Sequence, residues 1–192
     1  MTISQVPAIA YGGPETSPDD PSPESHKLAE SGVLIQFIAD ISDQPLLPAD
    51  PVKRAQARFF IETITPKLSS AHYGALSRGE DPIAILEAVE LVQKLLPAEG
   101  YAVGEWSIAD AAITPFLARA DVALKNDVGK YEAGKGKAAW EILTQDAKYE
   151  RFRKYFADVT SRASFQETFY PVFIYIAHLF VSNGFLFLSC RM

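Results

Sequence analysis

The run Gly104-Glu105-Trp106-Ser107-Ile108-Ala109-Asp110 opens a long apolar segment, and it constrains the fold more than any other stretch of the chain. Ser107 stands where a helix N-cap belongs, and Asp110, three residues on, can reach back to the backbone N–H of Ser107. Together they form a capping box, with Asp in the more usual Glu or Gln place. An acid in the first turn also suits the positive end of the helix dipole. From Ile108 to Leu124 the only charges are Asp110, Arg119 and Asp121. A helix this sparsely charged is expected to be buried around most of its circumference, so the chain must wrap other helices around it.

The rest of the sequence supplies those helices. Asp50 followed by Pro51 predicts a helix start, since a proline at the first position loses no hydrogen bond. This helix is expected to run to about Arg78 with a bend at Pro66. Further helices are expected over about 82–96, 107–125, 138–144 and 146–162, the last placing Tyr149, Phe152, Phe156 and Val159 on one face. Before the Pro-rich linker at 42–50, a short strand is expected around Pro7 to Tyr11. A loop with four prolines follows at 14–23. Apolar periodicity through Leu28, Leu34, Ile35 and Ile38 then predicts a helix from about Pro23 to Asp40.

Charge and composition exclude several classes. At 192 residues, 48% hydrophobic, the chain can bury a core of its own. A net charge of −6 with no Lys/Arg cluster argues against a nucleic-acid partner. His26, His72 and His178 have no metal-ligand spacing, so no metal is expected. A single cysteine, Cys190, excludes an internal disulfide and fits a reducing, cytoplasmic compartment, and the first residues show no signal or transit peptide.

Two features before the linker could carry chemistry. Val6-Pro7 is an X-Pro bond leading into a strand, the kind of bond where cis peptides occur. Glu30-Ser31 pairs an acid that can accept from an ammonium with a hydroxyl that, at a helix start, can meet a carboxylate. Read from these residues alone, the pair is either an amino-acid head-group site or a solvated pair inside a longer helix.

The string Gly104-x-x-Ser107-Ile108-Ala109-Asp110-Ala111-Ala112-x-x-Pro115 resembles the buried helix of the all-α domain of cytosolic glutathione transferases. Gln5-Val6-Pro7-Ala8-Ile9, then Glu30-Ser31-x-x-Leu34-x-x-Phe37-Ile38, resembles the second half of that family's thioredoxin-like domain. Leu47-Pro48-Ala49-Asp50-Pro51 with Arg54 and Arg58 resembles its linker and first helix, and Arg162-Ala163-Ser164-Phe165 its closing motif. The whole is most similar to fungal omega-like members. The resemblance implies an α+β chain in which a remnant of a thioredoxin-like domain (1–41) leads through a linker (42–50) to an all-α helical bundle (51–169). A hydrophobic tail (170–192) without a family counterpart follows.

What the resemblance implies for function is specific. Glutathione is the expected co-substrate, with no metal, and a hydrophobic electrophile the second partner; a homodimer is also implied. Val6, before the proline Pro7, would pair with the cysteinyl backbone of glutathione, and Glu30 and Ser31 would hold its γ-glutamyl end. Ser107 and Asp110 would serve folding. The family's opening strand-helix-strand unit, with its catalytic Cys, Ser or Tyr, has no match here, so no catalytic residue is assigned and the chain as given is expected to be inactive. Residues 171–190 contain no Asp, Glu, Lys or Arg, which raises the alternative of a tail-anchored membrane fragment. A non-catalytic interaction protein on the same fold is the other alternative.

Overall fold

The computed structural model describes residues 7–17 and 19–182. The chain begins with a hairpin of β1 (Ala8–Tyr11) and β2 (His26–Ala29), antiparallel in the register Ala8↔Ala29 to Tyr11↔His26. Helix α1 (Ser31–Ile41) follows at once. The helical part comprises α2 (Pro51–Tyr73), α3 (Ile83–Leu95), α4 (Ile108–Lys125), α5 (Lys135–Gln145), α6 (Glu150–Thr160), α7 (Ala163–Thr168) and α8 (Pro171–Ser182).

The helix expected from Pro23 is corrected here: residues 26–29 are a strand, and the helix starts only at Ser31. The reason lies in the backbone of Glu30, whose φ of 73° and ψ of 110° cannot belong to a right-handed helix. Leu28 therefore pairs with Ile9 in the ladder, and the helical period begins with Leu34, which is buried.

Helix α2 starts as its sequence requires, with Asp50 Oδ1 accepting from Val52 N at 2.9 Å. It gives way after Tyr73 to a π-helical turn at Gly74–Arg78, short of the single helix expected to Arg78. Gly79, at φ 74°, ends that turn.

The centre of the bundle is α4. Ile108, Ile113, Leu117 and Leu124 pack with Ile64 and Leu68 of α2, Ile85 and Val89 of α3, and Tyr155 and Val159 of α6 in one continuous core. At its start, Ser107 Oγ accepts from Ala109 N at 3.2 Å, and Asp110 Oδ2 accepts from Ser107 N at 3.0 Å. The other carboxylate oxygen of Asp110 accepts from Ala102 N at 2.8 Å and from the Tyr155 hydroxyl at 2.9 Å. One fully buried carboxylate thus ties together a loop, a helix start and a second helix. Burial pushes its pKa up, and these hydrogen bonds pull it part of the way back.

The described part of the tail is helical. Residues 171–182 form α8, which lies along α4 and the π turn. His178 is buried there, its ring 5.1 Å from that of His72 on α2. Among the described residues no helix is long and apolar enough to cross a membrane. The remainder of the uncharged run, together with Cys190, falls outside the described residues.

Candidate functional site

Pro7 and Glu30 each stand one residue beyond the last pair of the hairpin, Ala8↔Ala29. The ladder therefore brings these two sequence-distant positions to the same edge. Val6 lies outside the described residues.

Helix α1 is gripped from both sides. Tyr11 of β1 meets Phe37 edge-to-face at 5.0 Å, while Ile35 and Ala39 lean on the helical core and Leu34 is buried. Arg58 of α2 donates from Nε to Gln36 Oε1 at 3.4 Å. The start of α1 is held in place although Glu30 and Ser31 themselves are exposed.

At that start the backbone is prepared for an anion. The Glu30 carbonyl accepts from Val33 N and Leu34 N, both at 2.9 Å. The N–H groups of Ser31 and Gly32 have no acceptor among the described residues, as expected of a first helical turn, and no acid occupies that turn. Glu30 makes no side-chain capping bond, so its carboxylate is free to face a ligand. A non-glycine residue at φ 73° costs about 1–3 kcal/mol, and such residues cluster where a ligand is held. The space over Gly32 is open, with nothing within 4 Å of where a Cβ would stand. A carboxylate can thus meet two N–H groups and a hydroxyl, and an ammonium can meet Glu30, within one short surface.

Solved structures with this architecture include several from a fungus. The chain matches glutathione transferase Omega 1C from Trametes versicolor with a TM-score of 0.88 and 51% identity, covering 95% of this chain and 77% of that one. The chain belongs to the glutathione transferase family. Its match to the Omega 2C enzyme of the same fungus has a TM-score of 0.83 at 49% identity, covering 91% and 75% of the two chains. Glutathione S-transferase 3 of Glycine max is 37% identical over 57 residues, which is 28% of this chain and 26% of the soybean protein. The chain thus spans about a quarter of that curated relative. No protein-family profile matches the chain.

Two clusters in this transferase fold escape sequence reasoning. The Arg162 guanidinium lies 4.1 Å from the Trp106 ring centroid, packing the 162–165 motif onto the residue that precedes the capping box. His72 and His178, far apart in sequence, lie buried against each other, and the Nδ1 atoms of both lack a hydrogen-bond partner among the described residues. Burial is the main cause that lowers both to about 4, with the Arg119 charge adding to it and the neighbouring His178 adding further for His72. Periodicity flagged the apolar faces, and nothing local in either segment pointed to the pairing.

Proposed function

We propose that this chain binds glutathione at the hairpin edge and the start of α1, as the co-substrate of a transferase that joins it to a hydrophobic electrophile or reduces a glutathionyl adduct. The observation that carries this reading is the strained Glu30 beside the open N–H groups of Ser31 and Gly32. The γ-glutamyl carboxylate meets Ser31 Oγ and these N–H groups, where the helix dipole favours negative charge. The γ-glutamyl ammonium meets the Glu30 carboxylate. Val6, with Pro7 behind it, offers its backbone to the cysteinyl residue of the tripeptide.

On this reading residues 1–41 form the glutathione-binding part, 42–50 the linker, 51–169 the helical domain and 170–192 an appended tail. The protein works in the cytoplasm as a homodimer. Val52 and Phe59, at i and i+7 of α2, give the self-association face its apolar character, being 63% and 61% exposed.

No catalytic residue is assigned. The described residues contain no cysteine, and the sheet they form has two strands. A half-site orients the tripeptide without lowering its thiol pKa, so the 192-residue chain is expected to bind glutathione weakly and to turn over at the uncatalysed rate. The test is calorimetric titration of the chain with glutathione beside a conjugation assay with 1-chloro-2,4-dinitrobenzene. Glu30→Ala and Ser31→Ala are each expected to abolish measurable binding. Binding unchanged in both variants would show that the assignment of the site is wrong.

A further inference from the structure

The loop between β1 and β2 holds a hydroxyl with no part in the glutathione site. Four Ser/Thr-Pro dipeptides occur in the chain, at Ser17-Pro18, Ser22-Pro23, Thr65-Pro66 and Thr114-Pro115. Such a pair is chemically distinctive, because proline brings no N–H and biases the residue before it towards extended backbone. A phosphoryl-transfer enzyme that takes its acceptor in an extended peptide can select for it. Proline is favoured wherever the enzyme's cleft would leave an N–H unpaired just after the acceptor.

The fold closes three of the four. Thr114 is buried inside α4, and its hydroxyl donates to Asp110 O at 2.6 Å. Thr65 lies within α2 with its Oγ1 buried. Ser22 is 4% exposed, and its Oγ accepts from Glu24 N at 3.2 Å.

Ser17 alone is open. It is exposed, as are residues 12–16, 19 and 20, and no helix or strand occurs between Tyr11 and His26 among the described residues. Pro18 itself lies outside the described residues. Ser22 N donates to Thr16 Oγ1 at 3.0 Å, which ties the two ends of the tip together. Between these ends, the Ser17 carbonyl accepts from Asp20 N at 3.0 Å and Ser17 Oγ accepts from Asp19 N at 3.3 Å. Both bonds are local, so the tip can extend into an enzyme cleft without disturbing the hairpin or the helical core. The Ser17 hydroxyl donates to no group among the described residues, and its proton is free to leave.

We propose that Ser17 is a phosphorylation site for a protein kinase that selects proline after its acceptor. Ser17 Oγ attacks the γ-phosphorus of ATP, forming the new O–P bond as the bond from that phosphorus to the β,γ-bridging oxygen breaks. ADP leaves, and the hydroxyl proton passes to the kinase's catalytic base. The phosphate adds a charge of about −1.5 to −2 to a tip that already carries Glu15, Asp19 and Asp20. It does so away from the proposed glutathione site. Tyr11↔His26 closes the loop end of the hairpin, and Ala8↔Ala29, next to Glu30, lies three residues away, about 10 Å along the strands. The modification therefore alters what the tip can contact and leaves the start of α1 as it is.

The test is incubation of the folded full chain with a mitogen-activated protein kinase, magnesium and ATP, with the phosphate located by peptide mass spectrometry. One phosphate per chain is expected, on Ser17. Ser17→Ala and Pro18→Ala should each lower incorporation at least tenfold, with the fold checked by circular dichroism. Ser22→Ala should stay within twofold of the native chain. Glu30→Ala, which removes the proposed glutathione site, should also leave incorporation within twofold, so failure of either reading is distinguishable from failure of the other. No incorporation into the folded chain, phosphate on Ser22, Thr65 or Thr114 instead, or full incorporation in Ser17→Ala or Pro18→Ala would each overturn the proposal.

Discussion

Acidification should release the tail helix, and the size of the effect follows from one pair of rings. His72 on α2 and His178 on α8 are both buried and neutral, with pKa values lowered from 6.5 to about 4. Between those values the unfolded or undocked chain binds protons that the docked state refuses, so stability falls as the pH drops through this window. At about pH 5 each ring contributes roughly 2 kcal/mol of lost stability relative to neutral pH, or about 4 kcal/mol if the two act independently. Their coupling concentrates the loss, because the first proton makes the contact repulsive for the second and Arg119 opposes both. Asp110 works with the opposite sign: its carboxyl is raised on folding, so protons bind the folded state better and acid favours it. The measurement must therefore be a difference. Unfolding free energies from urea titrations should fall by several kcal/mol more between about pH 7.5 and pH 5 in the native chain than in a His72→Phe/His178→Phe variant, in which the Asp110 contribution is unchanged. Equal losses in the two proteins would refute the reasoning.

Three further substitutions can be read in the same denaturation assay. Ser107→Ala should cost about 1 kcal/mol through the lost cap, whereas Asp110→Ala should cost about 4 kcal/mol because Ala102 N, Ser107 N and the Tyr155 hydroxyl are left buried without an acceptor. Glu30→Gly should raise stability by about 1 kcal/mol by relieving the left-handed backbone, while glutathione binding falls, the separation expected of a residue held in strain for a ligand.

The legibility of this chain divides by distance along it. The start of α4 could be read because a capping box is complete within Ser107 and Asp110, and the start of α2 because Asp50 and Pro51 are adjacent. The second strand of the hairpin reads as the first turns of a helix, since Leu28 falls in phase with Ile35 and nothing in the composition announces that Glu30 turns left-handed. The carboxylate of Asp110 was recognisable as a cap but not as a junction, for Tyr155 lies forty-five residues away. In the tail, the absence of charge from 171 onward looked the same whether the segment faces lipid or protein. Only the partner surface on α4 and the π turn, with His72 set into it, distinguishes the two for residues 171–182.

The junction at Asp110 also imposes an order on assembly. Its bonds to Ser107 and Ala102 close loops of three and eight residues, while the bond to Tyr155 closes one of forty-five. Short loops close at smaller entropic cost and form first, so the nascent helix start captures the carboxylate early, while water still reaches its remaining lone pairs. The arrival of α6 then exchanges that water for the Tyr155 hydroxyl and seals the ion inside. Before this step the bundle can open without exposing a buried charge; after it, separating α6 from α4 strands one in a dry interior. The docking of a single tyrosine thus closes the last bond on this carboxylate, and any opening that parts α6 from α4 carries the cost of breaking it.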